Sequence, residues 1–258
     1  MLSHMASREL TVALAAARAA EEVILRFYRQ QPQVRIKADA SPVTEADERA
    51  EEVIHATLAA AFPAYGFYGE ETGRHAMEAE NVWLVDPIDG TKSFVRETPY
   101  FSTQIALLRA GQLVLGVSNA PAYGELAWAE RGGGAFLNDR PIRVSAVTEL
   151  RDAFVSTGNV RSLTRSPQWG RLGELIARVA RIRGYGDFAH YHLLARGALD
   201  VVIESDVNIL DIAALSVLVH EAGGTFTDLS GAPVGLATNN VLASNGALHG
   251  EVLAALTR

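Results

Sequence analysis

The sequence predicts a layered α/β fold in which helices cover both faces of the sheets. Three observations carry that expectation. Residues 103–109, 113–119 and 125–130 are β-like runs separated by glycine-containing turns, the pattern of an antiparallel meander. Beyond residue 150, short apolar runs alternate with helical patterns, which places helices over sheet faces. Two helical patterns precede both stretches.

The elements follow in order. Residues 10–28 are alanine-rich with apolar residues at helical spacing, and Pro32 ends that helix. Residues 34–36 read as a short strand and 37–44 as a turn-rich loop. Thr44 caps a second helix over 45–62, with Asp47 at the capping-box position, and Pro63 closes it. Residues 66–71 read as a strand that delivers Glu70 and Glu71 at its end. A buried strand over 82–85 ends at Asp86, where Pro87 stops regular pairing. After the meander, Arg131-Gly-Gly-Gly134 turns into a run at 135–137. Its glycines resemble a phosphate loop, but neither Lys-Ser/Thr nor a helix pattern follows, which favours a hairpin turn. The second half reads as strands at 153–156, 181–183, 201–203, 225–227 and 241–244. Helices at 167–179, 188–196, 210–222 and 247–256 are interleaved with them.

A chain of 258 residues, 48% hydrophobic and 21% charged, is large enough for one full core. The change of pattern near residue 150 divides a half at 1–150 from one at 151–258. No linker separates them, so one compact unit over 1–258 is expected. Ser3, His4 and Met5 resemble a cloning remnant and are set aside. The formal charge of −7 argues against a nucleic-acid groove or an anionic membrane as the main partner. Zero cysteines exclude disulfides, a thiol nucleophile and a zinc–thiolate site. No apolar run approaches the length of a membrane span, and the start lacks a signal-peptide pattern, so the expected compartment is the cytoplasm.

The chemistry concentrates around Asp86-Pro-Ile-Asp-Gly-Thr91. Two carboxylates at a strand end, beside a Gly-Thr turn, make a hard oxygen site next to backbone N–H groups. Oxygen ligands suit Mg²⁺, and the N–H groups suit a phosphate. Alone, the motif is equally a capped turn. Asp211 opens a helix, where an acid is also favoured by the helix dipole. Taken together, however, Glu70, Asp86, Asp89 and Asp211 are acids at element ends, which repel one another unless cations join them. Without cysteine, and with histidines scattered singly, the cation should be hard, Mg²⁺ first and Mn²⁺ as substitute.

On these residues the chain resembles the inositol monophosphatase superfamily of Mg²⁺-dependent, lithium-sensitive phosphatases. The matching segments are Gly69-Glu-Glu71, Asp86-Pro-Ile-Asp-Gly-Thr91, Leu210-Asp-Ile-Ala-Ala, and Asp47 within Ser41-Pro-Val-Thr-Glu-Ala-Asp47. The resemblance implies an αβαβα sandwich of the inositol monophosphatase and fructose-1,6-bisphosphatase type, usually a homodimer, acting on a small phosphorylated substrate. It implies roughly two or three Mg²⁺ ions. Glu70, Asp86 and the Ile88 carbonyl would hold one, and Asp86, Asp89 and Asp211 a second. Glu70 would help place a third. Asp86 and the amides of Gly90 and Thr91 would meet the phosphate, and Asp47 with Thr91 would orient and deprotonate the attacking water. Divalent ions neutralise an anionic ester and acidify water, so carboxylates are needed more than a nucleophilic side chain.

Within the superfamily, Gly90-Thr-Lys-Ser-Phe94 and the Gly-Asp at 186–187 look like the histidinol-phosphatase branch. Inositol-type enzymes usually carry a small residue where Asp187 stands. Asp187, Glu204 and Asp211 would face the leaving group, and the first two could bind a cationic amine that a polyol lacks. The plain alternatives are a helix N-cap for Asp187 and a solvated strand-end acid for Glu204. Inositol-1-phosphatase or a broader sugar-phosphate hydrolase, a regulatory RNA-associated member and a 3′-phosphonucleotide hydrolase are the competing readings. His190 and His192, two apart on a helix, should point to different faces and take packing or surface roles. Trp83 and Trp128 read as core or interface. Arg161 to Arg165 reads as a flexible loop, either solvated or reaching substrate or a partner subunit. Lys92 is either a phosphate contact or a surface residue.

Overall fold

The computed structural model describes residues 6–30, 34–36 and 42–257. Helix α1 (Arg8–Phe27) is capped by the Ser7 hydroxyl and buries Leu10, Ala13, Ala16, Ala17, Ala20 and Ile24, the predicted alanine stripe. Strands β1 (Val34–Ile36) and β2 (Pro42–Thr44) pair antiparallel and lead into α2 (Glu45–Ala61). Pro32, residues 37–41 and Ser3 to Met5 lie outside the described residues. Then come β3 (Gly66–Gly69), β4 (Gly73–His75), β5 (Asn81–Asp89), α3 (Thr91–Val95), β6 (Ser102–Arg109), β7 (Gln112–Ala120), β8 (Glu125–Glu130), β9 (Gly134–Leu137) and β10 (Arg140–Ile142). The second half holds β11 (Phe154–Thr157), α4 (Val160–Leu163), α5 (Trp169–Ile176), β12 (Arg181–Arg183), α6 (Asp187–Ala195), β13 (Val201–Ser205), α7 (Ile209–Glu221), β14 (Thr225–Thr227), β15 (Asn240–Ser244) and α8 (His249–Thr257).

The strands form an eight-stranded sheet, ordered β10-β9-β8-β7-β6-β5-β3-β4, and a five-stranded sheet, ordered β12-β11-β13-β15-β14. Burial then sets five layers. Trp83 and Val85 leave one face of β5 and pack with α1 and α2. Val82 and Leu84 leave the other face and pack with α6, α7 and the inner side of the second sheet. The outer side of that sheet, Val155, Val201, Ile203 and Leu242, packs against Leu172, Leu175, Val252 and Leu256 of α5 and α8. The result is the expected αβαβα sandwich. A middle layer is apolar on every side, which explains why α7 buries ten residues in its run from Ile209 to Val219.

Several elements depart from the sequence reading. Pro87 does not end β5: pairing with β6 resumes at Asp89 opposite Ser102, after a bulge that begins at Asp86 opposite Gln104. A bulge removes ladder bonds locally, and side chains replace them here. Ile88 N donates to Asp86 Oδ1 at 2.9 Å, and Thr103 Oγ1 donates to the Pro87 carbonyl at 2.8 Å. The three-residue strands β4 and β10 and the five-residue α3 are too short to show a period. The stretch from Arg161 to Arg165, expected as loop, instead begins within the helical turn α4, which Ser162 Oγ and Ser205 Oγ tie to β13 at 2.7 Å. The triple glycine is the hairpin between β8 and β9. The amides of Gly132 and Gly134 donate to the Glu221 carboxylate at the end of α7, which leaves them committed. Trp83 is core, and Trp128 stacks on Phe136 at 4.1 Å between ring centroids. No described helix is long and apolar enough to cross a membrane.

Helix α7 lies directly on β7 at Gly116, where an added Cβ would overlap the Ala214 carbonyl. We expect Gly116→Ala to force the helix outward at a cost of about 1–3 kcal/mol. Calorimetry should then show a melting temperature lower by roughly 2–12 °C. An unchanged value would mean that this contact does not seat α7.

Candidate active site

The parallel pairing of β3 with β5 sets Gly69 opposite Val85, so Glu70 and Asp86 leave the sheet side by side. Glu70 N donates to the Val85 carbonyl at 3.1 Å and holds the end of β3 in place. The β5 bulge then turns Asp89 toward the same region. Gly90 follows with φ +89°, and a Cβ there would stand 2.6 Å from the Tyr100 carbonyl. Only glycine fits that turn into α3 without strain. From the other side comes Asp211, the third residue of α7. Asn208 caps this helix through Oδ1, which accepts from Leu210 N at 2.7 Å. Asp211 answers by accepting from Asn208 N at 2.8 Å and from Asn208 Nδ2 at 2.6 Å. The capping box holds the carboxylate at a fixed angle to the helix end.

These elements bring one carboxylate oxygen each from Asp86, Asp89 and Asp211 within 4.8 Å of one another. Asp86 is buried and the other two partly so. Burial pushes the Asp86 and Asp89 carboxyls well above the ordinary carboxylate range. Glu70, Asp89 and Asp211 add to the shift at Asp86, as do Asp187, Asp211 and Glu204 at Asp89. Burial also lifts Asp211 to about 7, opposed by the bonds from Asn208 and reinforced by Glu70 and Glu204. Three such groups cannot ionise together without a cation between them. The donors are all hard oxygens, so the cluster fits a divalent ion of the Mg²⁺ or Mn²⁺ type. Glu70 is not one of the converging three but borders them through Asp86. The Ile88 carbonyl accepts from Thr91 Oγ1 at 3.1 Å.

Asp47 is buried, and its two oxygens are divided between two tasks. Oδ2 accepts from Thr44 N at 2.8 Å and from Thr44 Oγ1 at 2.6 Å, closing the predicted capping box. Oδ1 accepts from Thr91 Oγ1 at 3.2 Å. Burial raises this carboxyl above its ordinary value, although the Thr44 bonds oppose it.

On the far side of the acids, Asp187, Glu204, Tyr191 and Asn159 line one small cavity with Asp89 and Asp211. Glu204 is not a solvated strand-end acid: it lies within β13 and is 3% exposed. Its Oε2 accepts from Tyr191 Oη at 2.7 Å and meets His190 Nε2 at 3.0 Å. Nor does Asp187 act as an N-cap. Gly186 occupies that position and no side chain caps α6. Asp187 instead has φ +46°, a left-handed conformation that costs energy in any residue with a Cβ. Burial, then the charge of Glu204, raises its carboxyl to about 6, against the pull of His190 and Lys92. Lys92 is exposed, as are Arg161 and Arg165.

His190 and His192 do point apart, but both are buried rather than at the surface. His190 joins Glu204 to Ser156, and His192 joins Glu125 to Ser118. Tyr191 and Asn159 went unnoticed in the sequence. Both become polar neighbours of the site only through β13, and no local spacing marks them. A roomier cleft of about 630 Å³ lies elsewhere, against residues 233–240, but Asp228, its one ionisable lining residue, is engaged by the amides of Ser230 and Ala232.

The fold and site can be set beside known proteins. A histidinol-phosphatase from Mycobacterium tuberculosis is 41% identical over 258 residues, covering 98% of this chain and 99% of that one. An inositol-1-monophosphatase from Mesorhizobium japonicum is 38% identical over 234 residues, covering 89% and 88%. The crystal structure of extragenic suppressor protein suhB from Bartonella henselae superposes with a TM-score of 0.88 at 35% identity, covering 98% and 99%. An inositol monophosphatase from Anabaena does so with 0.84 at 30% identity, covering 96% and 94%. Residues 5–258 match the model of one family throughout, and the chain belongs to it: the inositol monophosphatase family.

Proposed function

We propose that this phosphatase hydrolyses L-histidinol phosphate with Mg²⁺, as a cytoplasmic homodimer in which both halves of the chain contribute to one site. The observation that carries the substrate reading is the pair Asp187 and Glu204, two further acids beside the ion-binding three. Acids in excess of what the ions need suit a leaving group that carries an amine and an imidazole. Relatives named histidinol-phosphatase, at 36–41% identity, support the same reading. Inositol 1-phosphate is the second reading, supported by relatives named for it.

Asp86, Asp89 and Asp211 would hold the ions, with Glu70 and the Ile88 carbonyl completing the shell. Bound there, Mg²⁺ neutralises the phosphate and makes water more acidic. Asp86 and the amides of Gly90 and Thr91 would meet the phosphate oxygens. The Thr91 hydroxyl would orient the attacking water and relay its proton to Asp47 Oδ1. Burial makes Asp47 a better proton acceptor than an exposed carboxylate. A bond forms from the water oxygen to phosphorus as the bond to the alcohol oxygen breaks, and that oxygen takes a proton from solvent water to leave as the alcohol.

Phosphate release should be measured on L-histidinol phosphate, inositol 1-phosphate, a 3′,5′-bisphosphonucleotide and fructose 1,6-bisphosphate. We expect histidinol phosphate to lead. Asp187→Ala should lower its kcat/KM by about 10- to 150-fold, the loss of one charged hydrogen bond, while sparing inositol phosphate. A preference for inositol phosphate that survives this change would overturn the assignment.

Asp86→Asn and Asp211→Asn should each reduce turnover by about two orders of magnitude or more at saturating Mg²⁺. Near-normal rates in either purified variant would contradict the ion-binding reading.

Ion-free protein should also report the repulsion. The raised carboxyl of Asp211 makes the folded state bind more protons than the unfolded one from about pH 4 up to about 7, and those of Asp86 and Asp89, raised as well, act in the same direction. The Asp211 contribution to stability is therefore full below that window and is lost as pH rises through it. Ions favour the ionised acids, so Mg²⁺ should stabilise most at high pH. At one hundred times Kd the gain is about 2.7 kcal/mol, or roughly 5–10 °C in melting temperature. An ion-free melting temperature that does not fall between about pH 5 and pH 8 would count against convergence of the acids.

A further inference from the structure

Glu51 has no part in the scheme above, yet its carboxylate is fully buried. It follows Asp47 by one helical turn on α2, so the two acids leave the same face of that helix. A buried carboxylate needs hydrogen bonds, and Glu51 finds them in consecutive backbone amides. Oε2 accepts from Glu71 N at 2.9 Å and Oε1 from Thr72 N at 2.7 Å. The amide just before them, Glu70 N, is held by the Val85 carbonyl. Three successive N–H groups are thus fixed, one by the sheet and two by a single side chain. The residue at the start of this run is the acid that borders Asp86. Gly69 completes the arrangement, because a Cβ there would overlap the Glu51 carboxyl group.

We infer that Glu51 is a positioning residue for the ion site: its two-oxygen grip on the amides of Glu71 and Thr72 holds Glu70 where an ion can use it. The inference rests on Glu70 being an ion ligand, as proposed above. A carboxylate suits the task because both oxygens accept. Glutamine has one acceptor and would turn an NH₂ group toward an N–H. The same helix face carries Asp47 to Thr91, so α2 aligns two edges of the site at once.

The test compares Glu51→Gln, Gly69→Ala and Glu70→Gln for Mg²⁺ affinity by calorimetric titration, together with the ion-free melting temperature and kcat at saturating Mg²⁺. Glu51→Gln should raise the Mg²⁺ Kd about tenfold. Its ion-free melting temperature should stay within a few degrees of the parent, and kcat at saturating Mg²⁺ within about threefold. Glu70→Gln should weaken binding at least as much, and the double variant no further, because both changes act through one ligand. If Glu70→Gln weakens binding and Glu51→Gln does not, the inference about Glu51 fails. If Glu70→Gln itself binds Mg²⁺ as the parent does, the reading of Glu70 as a ligand fails instead. Should Glu51→Gln not fold, Gly69→Ala presses on the carboxylate without removing it, and parent-like affinity there would equally overturn the proposal.

Discussion

Mutual repulsion among Asp86, Asp89 and Asp211 is the constraint on which the rest of this structure depends. Three carboxylates within 4.8 Å oppose folding at neutral pH unless rigid elements hold them and a cation offsets their charge. The fold answers with the ends of its best-buried elements. Strand β5 is covered on both faces, and α7 is enclosed by two sheets. Neither can shift to separate the charges without opening a core.

Local backbone devices then convert rigid placement into direction. The β5 bulge turns residues of one strand toward a common point, and Asp86 stabilises it by accepting from Ile88 N with Oδ1. Asp47 and Asp211 use a common device. Each is the third residue of its helix and answers the cap by accepting from the cap's own backbone N–H. For such acids, capping a helix and facing the site are not alternatives. Asp47 serves the cap with Oδ2 and Thr91 with Oδ1, so the bond that orients the helix also orients the acid.

This explains what the sequence could and could not reveal. Asp86, Asp89 and Asp211 sit where periodic patterns stop, and such boundaries are visible as proline, glycine and capping residues. The layers were legible for the same reason, since β5 is apolar on both faces and α7 all round. Short elements such as β4, β10 and α3 carry too few residues for a period. Glu51 carries no mark in the sequence, because its partners are backbone amides, which every residue but proline supplies. The solvated alternative for Glu204 arises because the apolar run stops at Ile203, whereas the strand continues through Ser205. His190 and Tyr191, which shield it, come from a different element.

The two kinds of residue also belong to different parts of the sandwich. Glu70, Asp86 and Asp89 stand on the eight-stranded sheet or its turns, whereas Asp187 opens α6 and Glu204 lies in the five-stranded sheet. Asp89, at the end of β5, and Asp211, on the helix between the sheets, line the cavity that Asp187 and Glu204 share. Under the ion-binding role proposed for these acids, the first sheet would have to keep its geometry to hold ions at fixed distances. The α6 start is freer to vary, because its leading residue has no capping bond and stands in a left-handed conformation that glycine, asparagine or aspartate tolerates best. Under the proposed roles, a change there would alter the charge facing the leaving alcohol without moving Asp86, Asp89 or Asp211. Relatives named for different phosphate esters can therefore share one fold and one set of acids, and the difference between them is expected where the second sheet and α6 meet the first.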